Sequence, residues 1–528
     1  MIAVLLVELG MCNPLAVTTG QGVAVGFMDA GVEGLRVWLG IPYAAPPVGQ
    51  LRWAAPQPPA GWGPEPRTFD TLTPACMQSF VGGINPGAPT AEPSEDCLFL
   101  NVYSPLNASA PSSLLPVMVW FHGGAFSIGY ATATPAPVLS MRGSVVVVTV
   151  DYRLGPWGFA VFSDGANADA NFGLDDQVQA LQWVNSQIAA FGGDPNRVTI
   201  FGESAGGGSV LFHALYPPSW PYFRAGLMES PGVFSLPTLS RNAATTSSWA
   251  AMFNCTDSAS LLPCMRALPA SLLQPPNGAA PWAPTMGFLP CVDGRWFSDQ
   301  PLSLFLAGRW KPMPLMVGWN AEEQNLLGFA DIGTPPQVPL TDAGWTRHLQ
   351  AIFGPGANQP GTLAEYVQSA YAPLRKALGN WQALALALSD WSIIFRCPQI
   401  LNQALLASPS PVYLYFWTQT PSQWPFFGSL GATHTVEIPF VFGNASIEGM
   451  VFDAADTAFS YQALAMWASF ATTLAPSPSW PDYRQNQLVQ TMQIGFPPPS
   501  LYPNISDPSS CAGWLPYLQK GVFPSPSH

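Results

Sequence analysis

The chain has 528 residues, 48% of them apolar and only 9% charged, with a formal net charge of −13. That composition excludes an intrinsically disordered chain and implies a large buried core. The acidic balance disfavours nucleic acid and anionic membranes as partners, and its plain role is solubility.

Length alone suggests several domains, yet the sequence has no charge block, Gly/Ser linker or repeat of solenoid period. One domain over residues 17–528 with long insertions is expected, its 58 prolines and 48 glycines marking many turns. Residues 1–16 read as a signal peptide or leader, although the apolar run 1–7 lacks a positive flank. That run and the one at 144–150 are too short to span a membrane.

In chain order, the β-prone run 116–121 predicts a strand, followed by Gly123 and Gly124. Residues 144–150 predict a second, fully buried strand. Val178, Leu181, Val184, Ile188 and Phe191 recur at helical spacing, and the turn 192–197 should stop that helix. A short strand is expected at 198–201, a segment over 205–215 ended by Pro217 and Pro218, and further strands at 315–317 and 412–416. Such alternation predicts an α/β fold, a mostly parallel sheet with helices on both faces. Chemistry in such sheets sits at the carboxyl ends of the strands.

The strand at 198–201 runs into Gly202-Glu203-Ser204-Ala205-Gly206. Gly-x-Ser-x-Gly between a strand and a helix is a nucleophile elbow. The turn strains the serine backbone, and side chains two positions away would clash, so glycine stands there. The pattern alone is weak, since a glycine-rich turn can hold a serine by chance; its placement makes it strong. A serine nucleophile needs amide donors for the tetrahedral oxyanion. Ala205, after the nucleophile, is one; the loop His122-Gly123-Gly124-Ala125-Phe126 supplies Gly123 and Gly124. His122 reads as a residue that shapes this loop.

Several strings together resemble the type-B carboxylesterases and cholinesterases, members of the α/β-hydrolase superfamily. They are Gly-Ile-Pro-Tyr-Ala at 40–44, Glu-Asp-Cys-Leu-Phe-Leu-Asn-Val at 95–102 and Asp-Tyr-Arg-Leu-Gly-Pro-Trp-Gly-Phe at 151–159. Asn-Phe-Gly-Leu-Asp-Asp-Gln at 171–177, Phe-Gly-Gly-Asp-Pro-Asn-Arg-Val at 191–198 and Cys-Ala-Gly-Trp at 511–514 join them. The resemblance covers nearly the whole chain and implies a serine ester hydrolase without metal or organic cofactor.

The triad order of this fold is Ser, acid, His. Of five histidines, His122 precedes the serine, His213 lies just after the elbow as a packed or surface residue, His348 has no motif, and His528 is the last residue. His434, in Gly-Ala-Thr-His-Thr-Val-Glu at 431–437, resembles the family's histidine loop. The family's acid falls five residues beyond Gly318, which gives Glu323, with Glu322 as rival. Gln324 departs from the family's glycine after the acid.

The resemblance also implies three disulfides, Cys76–Cys97, Cys255–Cys264 and Cys397–Cys511. Cys12 falls in the expected leader, and Cys291 reads as a small buried residue. No cysteine or histidine grouping has zinc spacing. Sequons at Asn107, Asn254, Asn444 and Asn504, with eight cysteines, point to a secreted or lumenal setting.

Cholinesterases carry a tryptophan in the first disulfide loop, facing the quaternary ammonium. No tryptophan lies between Cys76 and Cys97; the loop holds Phe80. A choline ester is therefore disfavoured as dedicated substrate. Pro284 and Met286 stand where the resemblance implies an acyl pocket, and a flexible methionine suits a generalist carboxylesterase taking small ester substrates. A lipase or acyltransferase on the same triad is the near alternative. A non-catalytic adhesion or scaffold protein is the remote one, since every catalytic residue type is present.

Overall fold

Val146–Val150 is buried at every position, a pattern that a strand shows only when both faces of its sheet are covered. It belongs to an 11-stranded sheet. The structure is a computed structural model and describes residues 13–78, 92–108, 114–163, 168–232, 235–258, 260–273, 287–332, 338–353, 359, 361–392, 401, 404–424, 430–485, 490–494 and 500–503.

The sheet strands are β1 (Phe27–Met28), β2 (Leu35–Pro42), β3 (Phe99–Pro105), β4 (Leu115–Phe121), β5 (Val146–Val150) and β6 (Gly193–Glu203). They continue as β7 (Ala225–Glu229), β8 (Leu315–Asn320), β9 (Val412–Trp417), β10 (Gln490–Ile494) and β11 (Ser500–Pro503). Their spatial order is β11-β10-β9-β8-β7-β6-β4-β5-β3-β2-β1. Neighbours from β10 through to β5 are parallel. Antiparallel strands close both edges. This is the α/β-hydrolase architecture, with a mixed rather than a purely parallel sheet.

The two-residue period of β4 and β5 divides the interior. Val117, Val119 and Phe121 face one core with Val146, Val148 and Val150; Met118, Trp120 and Val147 face the other. Helices α1 (Phe172–Gln187) and α2 (Ala205–Leu215) cover the first face through Leu181, Val184, Val210 and Leu211. Helix α3 (Ala454–Thr473) covers the second through Phe459, Leu464 and Trp467. Asp453 and Asp456 form a capping box that starts α3. It satisfies two backbone amides that the first turn would leave without partners.

The helical run ends as the spacing predicts, but its last turn, Ile188–Phe191, is a 3-10 turn with Gly192 left-handed at φ 92. The expected turn at 192–197 is drawn into the sheet: Leu115 donates to the Gly192 carbonyl at 2.8 Å, and β6 begins at Gly193. The turn survives as a register shift between Gly193 and Val198. Strands β8 and β9 also run longer than their apolar cores, to Asn320 and Trp417.

The Cys76–Cys97 and Cys255–Cys264 disulfides are formed, with Cα separations of 4.9 and 5.8 Å. Cys291 is a buried free thiol. Cys12, Cys397 and Cys511 lie outside the described residues, as do Pro284, Met286, Phe80 and Asn504. Among the described residues, no helix is long and apolar enough to cross a membrane.

Candidate active site

Strand register assembles the site. Gly202 pairs with Phe121, Glu203 with Glu229, and Glu229 with Gly318. The carboxyl ends of β4, β6, β7 and β8 therefore lie side by side, and each continues into a loop that bears polar groups.

Ser204 adopts φ 57 and ψ −119, a conformation costly for any residue but glycine. The surroundings hold it there. Its amide donates to the Glu229 carbonyl at 2.9 Å, and its carbonyl accepts from Gly208 at 2.8 Å. The flanking glycines are sterically required. A Cβ on Gly206 would lie 1.9 Å from the Phe121 carbonyl oxygen, and one on Gly202 would lie 2.5 Å from the Gly206 carbonyl carbon.

The loop after β4 reaches the elbow because Gly123 has no side chain. A Cβ there would stand 2.8 Å from Glu203 Oε2 and 3.2 Å from Ser204 Cβ. Gly124, at φ +103, would drive a Cβ to 2.1 Å from the Ile128 carbonyl oxygen. Ala125 and Phe126 also have positive φ, 52 and 57. Among the described residues, the amides of Gly124 and Ala125 have no carbonyl acceptor. The Ala205 amide opens α2, where the first amides have no partner within the helix. Ala125 was not singled out from sequence; its signal is an alanine held in a glycine-like conformation.

His122 is buried. Its Nδ1 donates to the Gly123 carbonyl at 2.8 Å, its ring stacks on Tyr152, and burial lowers its pKa to about 4. His213 is likewise buried: it bonds Gln177 at 3.1 Å, stacks on Phe121, and burial lowers its pKa to about 3. His348 lies on the surface helix Asp342–Phe353, and His528 lies outside the described residues.

His434 Nδ1 lies 2.6 Å from Glu323 Oε2. Glu323 is fully buried, and its other oxygen accepts from the Asn320 amide at 2.7 Å and from Ser230 Oγ at 2.6 Å. Glu322 points elsewhere and accepts from the Ala432 amide. The acid loop and histidine loop are laced further by Leu326 N to Thr433 Oγ1 and Asn325 Nδ2 to Leu430 O, each 2.8 Å. Gln324 sits in the first turn of the helix Glu323–Ile332, so the missing glycine costs the loop no strained conformation. His434 Nε2 faces the elbow, with Glu203 Oε1 at 3.2 Å.

Behind Glu323 and His434 lie two buried acids: Glu437, which closes the histidine-loop string, and Glu229, which sequence reading missed. Glu437 accepts from Asn320 Nδ2 at 2.5 Å and from Ser230 Oγ at 3.5 Å. Burial, then the charge of Glu323, push its carboxyl up to about 8. Glu229 accepts from Trp467 Nε1 at 3.0 Å, and burial followed by Glu437 push it far up too. Burial thus biases both carboxyls toward the neutral form. An acidic residue ending the apolar run 225–229 is the signal that could have found Glu229.

Comparisons with known proteins show which family the chain belongs to. Residues 13–508 match the model of the Carboxylesterase family. The chain is 34% identical to acylcarnitine hydrolase of Mus musculus, over 92% of this chain and 88% of the relative. It is 32% identical to cocaine esterase of Homo sapiens, over 91% and 88%. With cholinesterase of Mus musculus it shares 30% identity, over 96% and 87%. The chain thus belongs to the carboxylesterase family of α/β-hydrolases and is a carboxylic-ester hydrolase.

Proposed function

We propose that the chain is a generalist carboxylesterase acting in the secretory pathway or outside the cell, through a covalent acyl-enzyme on Ser204. The observation that carries this reading is the 2.6 Å contact of His434 Nδ1 with Glu323, on the histidine whose Nε2 faces the Ser204 elbow.

Ser204 Oγ attacks the ester carbonyl carbon while His434 Nε2 takes its proton. The carbonyl oxygen becomes an oxyanion bound by amides of Gly123, Gly124 and Ala205, with Ala125 as a further donor. Collapse breaks the bond to the alcohol, which leaves with the proton from His434. Water then repeats the sequence on the acyl-enzyme and releases the acid. Glu323 orients the imidazole throughout. Glu203 at Nε2 and Glu323 at Nδ1 would flank the imidazolium with a carboxylate on each side.

Breadth is supported by the absence of tryptophan between Cys76 and Cys97. The relatives' names also span acylcarnitine, cocaine and choline esters. Pro284 and Met286 are the proposed acyl-pocket residues. The secretory setting is supported by the two formed disulfides and by sequons at exposed Asn107 and Asn254, half-buried Asn444, and Asn504.

The test is a panel of soluble esters varied in acyl length and alcohol, run beside Ser204→Ala. Turnover of several ester types, abolished in the variant, is expected. A preference for one choline ester beyond ~10²-fold, more than an unspecialised pocket gives, would overturn the generalist reading. Activity confined to emulsified long-chain triglyceride would favour a lipase.

A further inference from the structure

The loop proposed to offer the oxyanion amides leaves β4 at His122 and folds back at Gly129, at φ +114, before the 3-10 turn Ala131–Ala133. A Cβ on Gly129 would meet His122 Nδ1 at 2.4 Å and the Gly123 carbonyl oxygen at 2.5 Å. The exit of the loop thus lies directly on its entrance, and whatever fixes Gly129 fixes the placement of Gly123 and Gly124.

Gln78 does this. Its Oε1 accepts from the Gly129 amide at 2.9 Å, and its Nε2 donates to the Gly129 carbonyl at 2.7 Å. One planar carboxamide therefore takes both backbone groups of a single residue, as a neighbouring strand would. Nε2 also donates to the Cys76 carbonyl at 3.1 Å. Gln78 is 2% exposed and lies two residues beyond Cys76, one end of the Cys76–Cys97 disulfide. The grip is anchored to a covalently closed loop. A second anchor holds the far side of Tyr130, where the Ala131 amide donates to Asp151 Oδ1 at 2.8 Å.

We propose that Gln78 is a positioning residue for the oxyanion donors, tying their loop to the Cys76–Cys97 cross-link through the two backbone groups of Gly129. The proposal rests on the reading that Gly123, Gly124 and Ala125 face the oxyanion. Gln78 touches no reacting atom and acts through the loop. Donors displaced by about 1 Å lose much of their effect on the transition state while ground-state binding barely changes.

The test uses the full chain with Gln78→Glu, which keeps the shape and the acceptor but loses the donor, and Gln78→Met, which loses both. Three measurements are made: kcat and KM on a soluble aryl ester, affinity for a trifluoromethyl ketone against its methyl ketone isostere, and melting temperature. The trifluoromethyl ketone forms a tetrahedral oxyanion adduct with a serine nucleophile; the isostere reports ground-state binding. A kcat fall of roughly 10- to 10²-fold is expected, with KM nearly constant and the ketone advantage falling in proportion. A merely structural role would lower melting temperature without moving that ratio. Should Gln78→Met fail to fold, Gln78→Glu decides alone. An unchanged kcat and ketone ratio would overturn the proposal. Wild-type labelling by a fluorophosphonate is measured alongside. Labelled wild type with unchanged variants overturns the Gln78 role alone, and unlabelled wild type overturns the acyl-enzyme reading beneath it.

Discussion

Glu323 Oε2 lies 2.6 Å from His434 Nδ1, while the adjacent Glu322 accepts from the Ala432 amide on the histidine loop. Two neighbouring carboxylates thus serve one histidine differently, one at the ring and one at the backbone beneath it. Glu323→Gln should lower kcat by about 10³–10⁴-fold, since the amide cannot stabilise an imidazolium. Glu322→Gln keeps an acceptor for Ala432 and should cost kcat only about tenfold or less. Steady-state kinetics on one soluble ester compares the two; equal losses would remove the distinction.

Ser204→Ala should eliminate fluorophosphonate labelling and lower kcat by about 10⁶-fold, with the fold retained. Gly206→Ala reaches the same endpoint by another route, because its Cβ would stand 1.9 Å from the Phe121 carbonyl oxygen. The elbow would have to move off β4, so this variant should lose activity and melt lower. Labelling and melting curves together distinguish them: Ser204→Ala is stable and silent, Gly206→Ala destabilised and silent.

Glu437 and Glu323 share Ser230, yet only Glu323 touches the imidazole. Glu437→Gln preserves a neutral acceptor for Asn320 and should retain kcat within about tenfold at pH 7, well above Glu323→Gln. Steady-state kinetics on one soluble ester compares the two; a loss as large as that of Glu323→Gln would show that both carboxyls serve the imidazole.

Asp151 is buried beside Tyr43, Tyr130 and Tyr152, and burial pushes its carboxyl up to about 7. The folded protein therefore holds this proton at pH values where the unfolded chain has released it. By linkage, stability falls as pH rises from the ordinary carboxylate range to about 7, by up to about 1.4 kcal/mol per pH unit. Asp151→Asn keeps the acceptor for the Ala131 amide and removes the titration. Its melting temperature should exceed that of the wild type at pH 8 and match it near pH 4. A gap independent of pH would show that Asp151 does not titrate in this window.

The fold class, the candidate serine and the candidate loop opposite it were legible in the residues alone. These are local: a strand meeting Gly-x-Ser-x-Gly, and a strand meeting two glycines, are encoded within a few residues. Resemblance then supplied the two bridges that are formed and narrowed the histidine and acid. Tertiary structure decided what depends on register. Glu203, Glu229 and Gly318 become neighbours only because β6, β7 and β8 pair in parallel. The division of labour between Glu322 and Glu323 follows from where the 430–437 loop crosses the end of β8. Gln78 could not be read as a partner of the Gly129 loop, because the two lie 51 residues apart and no period or spacing connects them. Local pattern fixes which groups can react; the packing of distant strands and loops fixes which of them face one another.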